Sequence, residues 1–324
     1  MTPNLDQIKA PIAADLAAFE GHFREALRSD VALLNKITYY IVRRKGKQVR
    51  PMFVFLAARM FGECKEPTFH AASMVELLHT ATLVHDDVVD ESQMRRGFFS
   101  INALWKNKIA VLVGDYLLSR GLLLALDNNQ HKLLHILSKA VRDMSEGELL
   151  QLEKARRLDI AEPVYTEIIR QKTASLIAAA CASGAASTQD DDGVTAQMFE
   201  FGEMIGMAFQ IKDDLLDFGE EKTGKPKGID IKEKKLTLPL IYALAQADPS
   251  EKRRILRMIK SNSESKETFD TVYALIVKHG GLEYARSKMD YYTQKAFEIL
   301  HRFPQSPSRQ SLEQLVGFVT HRGY

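Results

Sequence analysis

The chain has 324 residues, 45% of them hydrophobic, and a formal net charge of +2. That is apolar material for one large core or two modest ones, and too little positive charge for the broad basic surface that nucleic acid requires. Two cysteines, Cys64 and Cys181, exclude a disulfide framework and a zinc pattern, and fit a reducing cytoplasm.

The first segment, "MTPNLDQIKAPIAADLAAFEGHF", carries acids among its apolar residues and lacks a signal-peptide core. Apolar residues then recur at three- and four-residue spacing, as in "LAAFEGHFREAL", and alanine, leucine, lysine and glutamate dominate, which predicts helices nearly throughout. Helix breaks are expected at "RRKGKQVRP", "FGECKEP", "DNNQ", "RRLDIAEP", "TQDDDGV", "GEEKTGKPKGIDIKEKKLTLP", "ADPSEK", "SNSESKE" and "RFPQSPS". None is long or biased enough to link two domains, no convincing alternating strands appear, and no short-period repeat is present. One all-α domain over 1–324 is the simplest reading. No uninterrupted apolar run reaches bilayer length. The best candidate, "TASLIAAACASGAAS", is short and rich in small residues, and reads as a central helix on which neighbours pack closely.

The stretch "LLHTATLVHDDVVDESQMRRG" places Asp86, Asp87 and Asp90 on a helix and follows them with Arg95 and Arg96. Residues four apart face the same side, so Asp86 and Asp90 point together, and like charges at that spacing cost a few tenths of a kcal/mol. Stability alone does not explain them; a cation between the carboxylates does. The pattern returns in "FQIKDDLLDF" as Asp213, Asp214 and Asp217. Val75, His79 and Thr82 share the first acidic face, and Gly202, Gly206 and Gln210 the second. A third acidic cluster, Asp190 to Asp192, sits in a loop composition beside Gly193 and reads as a solvated helix connection. Oxygen-only ligands favour a hard cation, and Mg²⁺ typically uses one or two carboxylates plus substrate phosphates. Two facing trios could therefore hold several Mg²⁺ ions and one diphosphate. His85 lies one step off the Asp86 face and reads as structural. Lys47, Arg50, Arg95, Arg96, Lys172, Lys225 and Lys235 stand near helix ends or loops, where they could reach phosphates. No Walker-type loop or dinucleotide fingerprint is present.

These residues bring a resemblance. "GKQVRPMF", "ELLHTATLVHDDVVDESQMRRG", "NALWKNKIAVLVGDYLLSRG", "RQKTASLIAAAC", "GMAFQIKDDLLDF", "TGKPKGIDIKEKKLTLPLI" and a C-terminal Arg322 closely resemble the trans-polyprenyl diphosphate synthase family, the isoprenoid chain elongators, from about Lys36 onward. Two positions depart from the family pattern: Gln48 stands where an Arg is common, and "FFSIN" replaces a Pro-Thr-Val-Asn turn.

The resemblance implies an isoprenoid synthase-type helical bundle around a deep central cavity, usually a homodimer. It implies that Asp86, Asp87 and Asp90, with Asp213, Asp214 and Asp217, hold Mg²⁺ on an allylic diphosphate, farnesyl or geranyl. Arg95, Lys172, Lys225 and Lys235 would neutralise that diphosphate. Lys47, Arg50, His79 and Arg96 would bind isopentenyl diphosphate, and Thr173 and Gln210 would position the substrates. A lid around Gly219 to Lys235 would exclude water. In the family, bulky residues just before the first aspartate stop the product early. Here those positions are Ala81 and Thr82, both small, with Leu78 a turn below, so the expected product is long: hexaprenyl to decaprenyl, centred on octaprenyl. A cytoplasmic enzyme is expected, its product serving a quinone side chain or a carrier lipid, with peripheral membrane contact for product release. Three alternatives stand beside this. A terpene cyclase typically keeps one such trio, and a non-catalytic partner subunit of a heteromeric synthase typically loses the aspartates. A short-chain farnesyl or geranylgeranyl synthase would keep both trios and differ in product length.

Overall fold

The computed structural model describes residues 5–43, 48–95, 97–219 and 228–321. Four short N-terminal elements lead in: α1 (Leu5–Lys9), a 3₁₀ turn at Ala10–Ile12, α2 (Ala13–Ala26) and α3 (Ala32–Arg43). The bundle follows with α4 (Val49–Phe61), α5 (Glu66–Val89), α6 (Ile101–Asp127), α7 (His131–Arg157), α8 (Glu162–Ile169), α9 (Ser175–Ala186) and α10 (Asp192–Phe218). A one-turn helix, α11 (Ile229–Lys232), precedes α12 (Leu238–Gln246), α13 (Pro249–Asn262), α14 (Lys266–Lys278), α15 (Gly281–Leu300) and α16 (Pro307–His321). The all-α expectation holds among the described residues, and the expected breaks within them fall between helices, except that α11 forms inside "GEEKTGKPKGIDIKEKKLTLP"; residues 44–47 and 220–227 of two expected breaks lie outside the described residues. One detail differs. Two-residue strands, β1 (Met94–Arg95) and β2 (Phe98–Phe99), pair antiparallel after α5, too short to show alternation in the sequence. Tyr40 Oη on α3 ties this hairpin down by donating to the Phe99 carbonyl at 2.6 Å.

Helix α9 is the axis, as its composition implied. Every residue from Ser175 to Ala185 is buried. Small side chains let neighbouring backbones close in: a Cβ on Gly202 of α10 would lie 2.7 Å from the Ala178 Cα, and one on Gly206 would strike Ala174. This explains the two glycines on the acidic face of α10. They turn that face onto α9 and the chain just before it. The buried core forms two clusters, one around α2, α4, α5, α6 and α9, the other around α8 and α11 to α14; α10 and α15 contribute to both.

Asp190 and Asp192 are exposed and pair with Lys132 at 3.1 and 2.8 Å, while Asp191 caps α10 by accepting from the Gly193 N–H at 2.7 Å. The third acidic cluster is a solvated helix start. His85 is structural too. Its Nε2 lies 3.2 Å from the Val111 carbonyl oxygen and 3.5 Å from Asp115 Oδ1, with the ring over Gly114.

Helix α6 is the one described helix with the length and composition of a membrane span, although it has no uninterrupted apolar run. Lys106, Lys108, Asp115 and Arg120 interrupt its apolar residues, so no continuous run is visible. Yet by length and composition it could cross a membrane. Only 33% of its most apolar stretch is buried. Val111, Leu112, Leu122, Leu123 and Leu126 form an exposed apolar stripe on one face. The helix is also broken near its start, where Lys106 has φ 74° and ψ 158°. That region is almost exclusive to glycine, and a side chain there costs about 1–3 kcal/mol. Lys106→Gly is therefore expected to stabilise the fold by about 1–2 kcal/mol after the added chain entropy is offset. Chemical denaturation would measure it; an unchanged or lower midpoint would count against strain at this residue.

Candidate active site

The first trio closes α5. Asp90 is the C-cap, its N–H donating to the Asp86 carbonyl at 2.8 Å, and Glu91 turns left-handed with φ 50°. The hairpin then folds back over the helix end. Asn102 Nδ2 and the Ser92 N–H both donate to the Asp87 carbonyl, at 3.1 and 2.9 Å. Arg95 Nε reaches the buried Asp87 carboxylate at 2.7 Å. Asp87 and Arg95 thus form an ion pair. Burial raises the Asp87 pKa and Arg95 opposes the rise. Asp86 is half-buried. Burial pushes it up to about 6, against the pull of Lys172 and with the push of Glu148 and Asp90.

Lys172 and Thr173 stand on a π turn, Arg170–Ala174, between α8 and α9. Such single turns are frequent at functional sites because they re-aim side chains within a helix. The lysine's Nζ pairs with Glu148 Oε2 of α7. Gly147 makes this possible: a Cβ there would lie 2.8 Å from Gln171 Cβ and 2.9 Å from the Lys172 backbone nitrogen. Glu148 was not anticipated. Its one signal in the sequence is a glycine in mid-helix, in "SEGELL".

The second trio occupies the last turns of α10, and its members have different surroundings. Asp214 is 3% exposed. Its Oδ2 accepts from Tyr165 Oη at 2.6 Å and its Oδ1 from Gln210 Nε2 at 2.9 Å. Burial raises its pKa and these donors oppose the rise. Gln210 Oε1 in turn accepts from Thr173 Oγ1 at 2.8 Å. Asp217 caps α11: its Oδ1 accepts from the Ile229 N–H at 2.9 Å and its Oδ2 from the Asp230 N–H at 3.3 Å. Asp213 lines a cavity of about 240 Å³ together with Lys172, Gln210, Asp214, Asp230 and Lys235. Asp230 is a fourth carboxylate that sequence reasoning missed. Burial raises its pKa, and Asp214 and Asp217 add to the rise. Thr237 lines the same cavity, its buried Oγ1 lacking a hydrogen-bond partner among the described residues.

Two lysines span the space between the trios. Lys172 feels the Asp86 charge from one side. Lys235 lies 2.5 Å from Glu233 Oε2. Burial lowers its pKa, but Glu233, Asp90 and Asp230 outweigh that and raise it. Lys172 and Lys235 thus line the cavity of the second carboxylate set and lie within electrostatic reach of the first. Among the described residues no three acidic, His or Cys side chains close a ready cage. An oxygen-only set left open suits Mg²⁺, which completes its shell with water and substrate phosphates.

The remaining expected residues fall in two places. His79, buried on α5, and Arg95 line a second cavity of about 110 Å³, walled by Tyr40, Ile41, Val84 and Phe98. Arg50 stands in the first turn of α4, after Gln48 with φ 53°. Below the first trio, Ala81 is fully buried and Leu78 packs against α6, where a Cβ on Gly121 would lie 3.5 Å from the leucine Cδ2. Thr82 Oγ1 donates to the His79 carbonyl at 2.9 Å. Lys47, Arg96, Lys225, Arg322 and most of the expected lid lie outside the described residues.

A family model described as "Polyprenyl synthetase" matches residues 31–276. The octaprenyl diphosphate synthase of Escherichia coli (strain K12) is 37% identical over 323 residues, covering 98% of this chain and 99% of that protein. The crystal structure of a decaprenyl diphosphate synthase from Rhodobacter capsulatus superposes with a TM-score of 0.93 at 38% identity, covering 99% of this chain and 100% of that one. That of a polyprenyl synthase from Caulobacter crescentus CB15, complexed with calcium and isoprenyl diphosphate, gives 0.91 at 36% identity, covering 100% of this chain and 99% of that one.

Proposed function

This chain belongs to the polyprenyl synthetase family and is a long-chain trans-prenyltransferase; we propose that it extends a farnesyl or geranyl diphosphate primer with isopentenyl diphosphate, in the presence of Mg²⁺, to a product centred on octaprenyl diphosphate. One observation supports the reading: Lys172 and Lys235 line one cavity with Asp213, Asp214 and Asp230 of the second carboxylate set, and Lys172 lies within electrostatic reach of Asp86 and Lys235 of Asp90 in the first. An anion with several phosphate oxygens and bound divalent cations matches that alternation of charge. The acceptor-only donor set fits Mg²⁺, with Asp86, Asp90 and Asp213 as its holders. Asp87, Asp214 and Asp217, already taken by Arg95, Tyr165 with Gln210, and α11, keep the set in place. When bound, Mg²⁺ supplies positive charge to the leaving diphosphate.

The protein's part is positioning and electrostatics. Lys172 and Lys235, with Lys225, neutralise the allylic diphosphate as its bond to the primer carbon breaks. Arg50 and His79, with Lys47 and Arg96, hold isopentenyl diphosphate so that its double bond attacks that carbon. A new carbon–carbon bond forms, diphosphate leaves, and a proton is lost to it, so no protein base is required. Water must stay out, because it would trap the cation. The segment from Gly219 to Lys235 is suited to that role.

We read the chain as one catalytic domain, because α10 and α15 run through both core clusters. The exposed apolar stripe of α6, with Leu149 of α7 68% exposed, suits a second copy of the chain and hence a homodimer. Free Cys64 and Cys181 suit the cytoplasm. The water-insoluble product calls for peripheral membrane contact on release and suits a quinone side chain.

The purified chain, given isopentenyl and farnesyl diphosphates with Mg²⁺, is expected to release diphosphate and yield octaprenyl alcohol after dephosphorylation and chromatography. No diphosphate release would refute the activity. A product no longer than geranylgeranyl would refute the long-chain reading.

A further inference from the structure

We propose that Tyr165 is a positioning residue for the second carboxylate set, and that it acts by clamping α10 to the π turn through Asp214. The proposal rests on the elongation reading above. Tyr165 is 5% exposed, and its hydroxyl donates to Asp214 Oδ2 at 2.6 Å. The other carboxylate oxygen accepts from Gln210, and Gln210 accepts from Thr173, at 2.9 and 2.8 Å. Tyr165 and Thr173 belong to one continuous piece of chain, α8 running into the π turn. Asp214 and Gln210 are one helical turn apart on α10. Four side chains therefore close a loop between two segments and attach them at two points. Two attachments fix the rotation of one segment against the other as well as their separation.

The clamp governs what lies between and beside its members. Lys172 stands on the clamped segment between Tyr165 and Thr173, and Asp213 adjoins Asp214 on the other. Both line the 240 Å³ cavity. Opening the clamp leaves each of these groups present but frees the two segments to shift relative to each other. Displacements on the order of 1 Å suffice to cost about a hundredfold in rate. Asp214 has no oxygen free of protein donors, which suits an anchor better than a metal ligand. A tyrosine that only filled the core would not need its hydroxyl, and a hydrogen-bonded pair buried this deeply is costly to leave half-made.

Tyr165→Phe keeps the ring and its packing and removes the hydroxyl alone. In the condensation assay its kcat is expected to fall about ten- to a hundredfold while the KM for isopentenyl diphosphate stays within about twofold. A second readout needs no turnover: Mn²⁺ titrated onto the protein with inorganic diphosphate, followed by electron paramagnetic resonance, is expected to bind about ten- to a hundredfold more weakly. Either readout at the wild-type value overturns the proposal. If Tyr165→Phe does not fold, Thr173→Val decides. It opens the clamp at the other end, is expected to weaken Mn²⁺ and diphosphate binding, and Thr173→Ser is expected to restore it; absence of that pattern overturns the proposal. A wild-type chain that bound Mn²⁺ and diphosphate yet made no prenyl product would refute the function proposed above, and the clamp would stand or fall on the binding titration.

Discussion

Asp86→Ala and Asp213→Ala are each expected to lower turnover by about two to three orders of magnitude, with the fold intact. Asp86 lies within electrostatic reach of Lys172, and Asp213 lines the cavity that Lys172 and Lys235 share. The folded chain gains little from keeping Asp86 ionised. Burial raises its pKa to about 6, so its charged form is less favourable in the fold than in the unfolded chain. The sign follows: ionised Asp86 weighs against folding above its ordinary carboxylate pKa, most fully above about pH 6, and alanine removes that burden. Thermal melts at neutral pH are therefore expected to be unchanged or higher for Asp86→Ala. Asp190→Ala is the control. That side chain is 98% exposed beside Lys132, and turnover is expected to stay at the wild-type level. Near-normal condensation by either site variant at saturating Mg²⁺ would remove the aspartates from the mechanism.

The other large effect concerns product length. Ala81→Phe is expected to shorten the product below octaprenyl without lowering the melting temperature. Ala81 lies five residues before Asp86 on α5, which places it about 7.5 Å down the helix axis from that carboxylate. A chain growing away from the diphosphate has to run along this wall, where Leu78 and Met74 continue the apolar surface. If the product passes Ala81, space for it exists there, and an aromatic ring enters that space and stops the chain. If Ala81 only permits close helix packing, the ring has nowhere to go, and overpacking costs about 1–3 kcal/mol. The two cases separate cleanly. A shortened product at an unchanged melting temperature supports the tunnel; an unchanged product from a destabilised protein defeats it.

Much of the candidate site was legible because it is written locally. The two D-D-x-x-D runs show their geometry through helical period alone, since residues four apart on a helix share a face whatever surrounds them. The loop composition around Asp190 likewise predicted a solvated helix connection, and the small residues of "TASLIAAACASGAAS" predicted a central helix on which neighbours pack closely. The length of α6 was less legible, because scattered charges interrupt an apolar stripe that only a folded helix displays.

What the tertiary structure alone decided is the different partner that each member of a trio takes. By residue type, Asp87, Asp214 and Asp217 are equivalent to their neighbours. Folding gives Asp87 to Arg95, Asp214 to Tyr165 and Gln210, and Asp217 to the start of α11. It also brings Glu148 to Lys172 and adds Asp230 to the second set. Most of these partners come from other elements, and their pairing depends on how helices approach, which Gly147, Gly202 and Gly206 control by what they lack. A helical period reports which residues share a face; it carries no record of which residue on another helix that face will meet.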